Sequence, residues 1–141
     1  MKLLNKQSDY AARALLALAA APRGGLVSSS RICGEQKIPL RFLRVILGRL
    51  LKKGWIEARE GTNGGYRLII EPARITISEV IKAMQGPLRL SECLFRENIC
   101  ANRRTCPLRK RIAAIEKLVI EEFEDISIAD LRDDIKKAQK R

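Results

Sequence analysis

The sequence predicts a mainly α-helical chain with one small β-hairpin. Apolar residues recur at helical spacing in several segments, and Pro22, Pro39 and Gly54 separate those segments. A stretch rich in Gly and Asn, residues 60–65, lies between two short β-prone segments, which favours a hairpin. With 141 residues, the chain can hold one modest domain with a core plus an oligomerisation element.

Three helices are predicted before the hairpin. Helical spacing of apolar residues covers residues 10–21, and Pro22 ends it. Ser28 can cap a second, short helix that reaches about Lys37, because its hydroxyl can accept the free amides of a first turn. A third helix begins at Pro39 or the next residue and ends before Gly54.

The third helix is predicted to be both amphipathic and basic. Its expected buried stripe consists of Leu43, Ile46, Leu47, Leu50 and Leu51. Its basic residues lie largely off that stripe, at Arg41, Arg44, Arg49, Lys52 and Lys53. Two short helices, a tight turn and a basic second helix are typical of a helix-turn-helix, whose second helix enters the DNA major groove.

The hairpin follows this third helix directly and is therefore predicted to be a wing. Residues 55–59 and 66–70 form its two strands, with Arg59 and Arg67 beside the turn. An arginine there either enters the minor groove or contacts phosphate, and both readings stay open. Residues 1–86 are thus predicted to form a winged helix-turn-helix domain. The predicted DNA contacts are Ser28, Arg41, Arg44, Arg49, Arg59, Thr62, Asn63 and Arg67.

The charge distribution supports a polyanionic partner. The chain carries 28 Lys and Arg against 16 Asp and Glu, a net charge of +12. Residues 1–70 contain 13 of the basic but only 4 of the acidic side chains. Because the positive field belongs mainly to this half, it indicates double-stranded DNA, with a solvated basic surface as the alternative.

Two helix signals flank a cysteine-containing loop, residues 87–107. Thr76 with Glu79 predicts a capping box for a helix that ends near Gly86. From Pro107 to about Glu124, apolar residues recur at intervals of four, three and four, at Leu108, Ile112, Ile115 and Val119, and Leu118 and Ile120 widen this surface. We expect a dimerisation helix in a C-terminal segment, residues 108–141, with packing inside one chain as the alternative.

The chain end contains one further cap and no sign of a membrane segment. Ser127 with Asp130 predicts a final helix from Ile128, with a frayed tail from Lys136. The first residues lack the apolar stretch of a signal peptide, and the longest apolar run, residues 14–21, is too short to cross a bilayer. We therefore expect a cytoplasmic protein without a membrane partner.

Three of the four cysteines, Cys93, Cys100 and Cys106, lie within fourteen residues. In a reducing compartment, grouped thiols favour a soft metal or an iron–sulfur cluster over disulfides. A structural zinc site, or a thiol switch beside Arg96, Arg103 and Arg104, is the alternative. Cys33 is set apart in the second helix and is expected to act as a small core hydrophobe.

Catalysis finds little support in the residue pattern. The chain has no histidine. It also has no glycine-rich phosphate loop after a strand and no nucleophile with an evident base. We therefore predict that the protein is not an enzyme.

Four motifs resemble the Rrf2 family of bacterial winged-helix transcriptional regulators. They are Ser8-Asp9-Tyr10-Ala11, the segment REGTNGGYRL at residues 59–68, Gly86-Pro87-Leu88 and Cys106-Pro107-Leu108. The resemblance implies a homodimer that binds an inverted-repeat operator and represses or activates transcription. It also implies a 2Fe-2S or 4Fe-4S cluster on Cys93, Cys100 and Cys106, which senses iron–sulfur status, redox state or nitric oxide.

The fourth cluster ligand departs from part of that family. The iron–sulfur assembly regulator of the family has a histidine where this chain has Arg109. The nitric-oxide sensor uses an N-terminal aspartate of the partner subunit, which implies Asp9 here. Asp9 placed simply at a helix N-terminus is the competing interpretation. Further possible oxygen ligands are Ser91, Glu92 and Glu97, and an external thiol or water is also open as the fourth ligand.

The resemblance also bears on the operator sequence. Arg44 lies where the assembly regulator has an acidic residue that helps it choose between DNA sites. Arginine at a base edge favours guanine through a bidentate pair. We therefore expect a different operator for this chain.

Overall fold

The computed structural model describes residues 2–22, 24–95 and 100–141, without the side chains of Leu94 and Phe95. Glu97, one of the possible ligands, lies outside the described residues. The chain is mainly helical with one two-stranded antiparallel sheet, which confirms the predicted fold class. Its elements are α1 (Lys6–Ala20), α2 (Ser29–Gln36), α3 (Leu40–Lys53), β1 (Ile56–Arg59), β2 (Gly65–Leu68), a 3-10 turn (Pro72–Arg74), α4 (Ile77–Gln85), α5 (Glu92–Phe95), α6 (Pro107–Glu124) and α7 (Ile128–Gln139).

Local capping determines most helix starts. The side chains of Ser28, Thr76 and Ser127 accept backbone N–H groups at the predicted starts of α2, α4 and α7. The start of α1 was predicted too late in the chain. Asn5 Oδ1 accepts the Ser8 N–H at 2.9 Å, so α1 begins at Lys6 instead of residue 10.

The core forms where α1 and α3 cross beneath α4. Ala11, Ala14 and Leu15 of α1 are fully buried, and four of the five residues in the predicted stripe of α3 are buried with them. Leu51 is 39% exposed, so its assignment to the stripe was wrong. It lies one turn along α3 and about 40° around the helix axis from Leu47, at the edge of the buried face.

The wing pairs its strands from Ile56 with Leu68 to Arg59 with Gly65. Tyr66 also exchanges two backbone hydrogen bonds with Val27, at 2.8 and 2.9 Å, which joins the wing to the segment before α2. A side chain at position 65 would place its Cβ atom 2.6 Å from the Val27 carbonyl oxygen. Glycine is therefore required at position 65 for this close approach.

The last helix returns to the N-terminal core. Ile77 N–H donates to Ile126 O, and Ile128 N–H donates to Ile75 O, both at 2.9 Å. This short antiparallel bridge docks α7 against α1, and Ile128 is fully buried. Within the predicted segment 108–141, α7 thus packs against α1, and α6 packs against α4. Helix α7 continues to Gln139, past Lys136, where fraying was predicted.

Candidate DNA interface and cysteine loop

The outer face of α3 presents its basic residues to solvent. Arg41 and Arg44 are exposed three residues apart, with Lys52 further along the same face. The guanidinium carbon of Arg41 lies 4.7 Å from the centre of the Phe42 ring, which itself packs against Tyr10. This cation–π contact orients Arg41 on the surface.

Arg49 occupies a different position from the other predicted DNA contacts. It is only partly exposed, and Nη1 donates to Gln7 Oε1 at 3.0 Å and to the Met84 carbonyl at 2.5 Å. The guanidinium thus joins α3 to the start of α1 and the end of α4. Its Nη1 is therefore engaged by two neutral oxygens within the protein, and its role as a DNA contact stays a prediction.

The wing tip exposes three of the predicted contacts, namely Arg59, Thr62 and Asn63. Arg67 lies opposite Glu57 across the hairpin, and its Nε donates to the Glu57 carboxylate. Part of its charge is therefore compensated, whereas Arg59 projects at the end of its strand. Ser28 is also exposed, and its Oγ accepts the Arg31 N–H at 3.1 Å.

All four cysteines are free thiols. Cys93 lies in α5, with its Sγ 3.0 Å from Ser91 Oγ, and Cys106 is the N-cap residue of α6. Both are half-buried, whereas Cys100 is exposed. Cys33 packs partly against the core, as its separation from the loop suggested.

Glu116 anchors the segment that leads into the cysteine loop. It is 9% exposed on the inner side of α6. Its carboxylate accepts the Leu90 N–H at 3.0 Å and Arg89 Nη1 at 3.1 Å. Sequence reasoning missed this residue. The sequence did contain a signal for it. Glu116 lies four residues after Ile112 and four before Ile120, at a position where an apolar side chain would be expected on the same helix face.

Three thiols are a chemically suitable donor set for a soft metal or an iron–sulfur cluster. Within residues 2–22, 24–95 and 100–141, no three acidic or cysteine side chains are already grouped as metal ligands. Asp9 forms an ion pair with Arg13 at 2.9 Å, and Arg13 also donates to the Gln36 carbonyl at 2.8 Å. Glu92 is exposed at the start of α5.

The outer face of α6 carries exposed apolar side chains. Leu108, Ile115 and Leu118 are 66%, 53% and 61% exposed, respectively. Val119 and Ile120 pack partly against the core. One side of the helix therefore meets its own chain, and the other presents three exposed apolar side chains to solvent.

Comparison with known proteins gives consistent matches along the whole chain. The model of the Rrf2 family, described as an iron-dependent transcriptional regulator, matches residues 4–134. The HTH-type transcriptional regulator NsrR of Shouchella clausii is 34% identical over 129 residues, which is 91% of this chain and 87% of that protein. NsrR of Halalkalibacterium halodurans is 32% identical over 129 residues, with 91% and 88% covered.

Solved structures show the same fold. IscR of T. potens superimposes with a TM-score of 0.79 and 24% identity, covering 99% of this chain and 91% of that chain. CymR, the global cysteine regulator of B. subtilis, gives a TM-score of 0.75 with 21% identity and coverage of 94% and 98%. The described part of the chain has no helix that is long and apolar enough to cross a membrane.

Proposed function

The chain belongs to the Rrf2 family of DNA-binding transcriptional regulators, which are not enzymes, and from this premise we propose a cluster-sensing homodimer. In this proposal, Cys93, Cys100 and Cys106 hold an iron–sulfur cluster whose state changes the affinity for an inverted-repeat operator. The observation that carries it is the set of three free thiols on a loop anchored to α6, the helix with the exposed apolar face.

DNA is read by α3 and the wing. Arg44 and Arg41 contact base edges or phosphates in the major groove, while Arg59, Thr62 and Asn63 at the wing tip follow the minor groove. Ser28 and Arg67 contact the DNA sugar–phosphate backbone beside these grooves. Arg49 supports α3 from behind through Gln7 and the Met84 carbonyl.

Dimerisation occurs through the outer face of α6. Removing Leu108, Ile115 and Leu118 from water would stabilise a dimer by roughly 25 cal/mol per Å² of apolar surface buried. A two-fold pair of α6 helices places one α3 on each side of the axis. This symmetry suits an inverted repeat, because each half-site then meets the same residues.

The three cysteines suit the cluster better than they suit a hard metal, because thiolate is a soft ligand. The description of the family as iron-dependent supports iron. When bound, the cluster would cross-link the loop and supply a centre that reacts with oxidants or nitric oxide. Asp9 of the partner subunit is the proposed fourth ligand. Its Oδ2 pairs with Arg13 at 2.9 Å, so iron would bind the other oxygen or displace Arg13.

The protein's own residues offer a route from the loop to α3. Glu116 fixes Leu90 to α6, and the buried Leu88 continues this segment into the core. The Met84 carbonyl at the end of α4 accepts from Arg49, which belongs to α3. Release of the cysteines would loosen this segment and shift α3 relative to its copy. Equal operator affinity of loaded and metal-free protein across salt concentrations would refute this coupling.

The test is anaerobic purification followed by iron, acid-labile sulfide and zinc analysis per protomer, with a visible spectrum. We expect iron and sulfide in matching amounts. Cys93→Ser, Cys100→Ser and Cys106→Ser should each lose iron. Cys33→Ser is the matched control, since its thiol belongs to α2, and it should retain iron.

The alternative is a structural zinc site or a thiol switch on the same loop. The contact between Cys93 Sγ and Ser91 Oγ, at 3.0 Å, favours it, because this hydrogen bond engages the Cys93 sulfur without metal. If the protein contained only zinc, or no metal after anaerobic reconstitution, the cluster proposal would be abandoned in favour of this alternative. In that case, DNA affinity should follow thiol oxidation.

A further inference from the structure

The proposed reading face of α3 contains an apolar residue that lies outside the core. Val45 is 51% exposed, between Arg41 and Arg44 on one side and Gly48 on the other. Its side chain projects from the face opposite the buried residues Leu43, Leu47 and Leu50. Truncating it would open no core cavity, because it lies outside the core cluster.

An apolar side chain at this place has a specific complement in DNA. The major-groove edge of thymine carries a C5-methyl group, and no other standard base has one. Val presents two methyl groups on a stiff Cβ branch, so its position is fixed relative to the helix axis. The neighbouring arginine, Arg44, would meet a base close by in the same groove.

Gly48 provides an independent observation, a glycine inside α3 that the packing of the chain does not explain. A glycine inside a helix costs about 1 kcal/mol relative to alanine. A Cβ atom at position 48 would meet nothing within 4 Å in the protein outside the local helix backbone and adjacent residues. The fold therefore does not require glycine there. A bare backbone at this point, one turn beyond Val45, leaves room for a duplex to lie against the helix.

We propose that Val45 reads a thymine methyl group in each half-site, with Gly48 allowing the close approach. This inference rests on the proposed use of α3 as the reading helix. It predicts a thymine at a fixed place in the operator and assigns the preference to one side chain. A 5-methylcytosine at the same place would present the same methyl group on a different pyrimidine.

The test begins with selection of preferred duplexes from a randomised pool by the anaerobically purified protein. Each thymine of the selected half-site is then replaced, symmetrically, by deoxyuridine, which lacks only the methyl group. At one position, the wild-type dissociation constant should rise about fourfold per methyl contact, the factor for roughly one buried CH₂ group. Val45→Ala should bind the thymine duplex more weakly and lose this discrimination.

Leu51→Ala is the matched control, because Leu51 is also an exposed apolar residue of α3 but lies on a flank of the helix. It should keep the wild-type response to deoxyuridine. Equal responses of wild type and Val45→Ala at every thymine would overturn the inference while leaving the DNA-binding function intact. Failure to select any duplex would overturn both. Tighter binding of the wild-type protein to a duplex with 5-methylcytosine than to one with cytosine at the same position would attribute the contact to the methyl group itself.

Discussion

Replacement of Glu116 by alanine tests whether this buried carboxylate holds the cysteine loop to α6. Glu116→Ala removes the acceptor of the Leu90 N–H at 3.0 Å and of Arg89 at 3.1 Å. A hydrogen bond to a charged group contributes about 1.5–3 kcal/mol. The Arg89 side chain is 38% exposed, so solvent screens that contact, and most of the effect falls on Leu90.

We therefore expect Glu116→Ala to lower the free energy of unfolding by about 2–3 kcal/mol. The assay is urea unfolding of metal-free protein at one fixed concentration, since dimer stability depends on concentration. Amide hydrogen exchange should show faster exchange at Leu90. Glu116→Gln keeps an oxygen acceptor without the charge, so it should lower the free energy of unfolding by about half as much as Glu116→Ala.

Glu121→Ala is the control on the same helix. Glu121 is half exposed and pairs with Lys117 at 3.6 Å, so its removal should cost less than about 0.5 kcal/mol. The reasoning would be refuted if the two alanine variants had the same stability. It would also be refuted if Leu90 exchanged at the wild-type rate in Glu116→Ala.

Three further variants test other parts of the molecule. Gly48→Ala should raise the free energy of unfolding by up to about 1 kcal/mol while weakening operator binding. An increase in both stability and operator affinity would contradict a close approach of DNA to α3 at this residue. Hydrogen bonds from Ser127 hold the pKa of Asp130 below its ordinary value of 3.8. The ionised carboxylate therefore stabilises the fold above that pH. This stabilisation is lost as the pH falls through the lower pKa of the folded state. Urea unfolding against pH should therefore be less acid-sensitive in Asp130→Asn, and an unchanged acid limb would contradict this. Leu118→Lys should shift the protein toward monomer in sedimentation, whereas Ile135→Lys, an exposed apolar site on α7, should not.

Local signals were predictable because they depend on neighbouring residues alone. Ser28, Thr76 and Ser127 each cap a helix through an oxygen that reaches an N–H three residues ahead. The glycine and proline positions that end α1 and α3 act equally locally. The late start predicted for α1 arose because Asn5, its cap, precedes the apolar pattern by several polar residues.

Contacts between distant residues were not predictable in this way. Arg41 and Arg49 are both basic residues of one helix, yet Arg41 lies on the surface and Arg49 reaches Gln7 and Met84. In the sequence, Glu116 is one of several acidic residues of α6, whereas the structure places the Leu90 N–H beside its carboxylate. Nothing in the local pattern distinguishes these roles, because they depend on which elements pack together.

Apart from α5 and the start of α1, the sequence by itself determined the helices, the wing, the basic N-terminal half and the grouped cysteines, since periodicity, capping and composition act over a few residues. Only the tertiary structure decided that α7 returns to α1 and that Arg49 joins three helices. It also left Val45 exposed beside an unobstructed Gly48. The physical reason is that burial and long-range hydrogen bonding are properties of the packed chain. Packing therefore decides which of two chemically similar residues holds the helices together and which stays exposed on the surface.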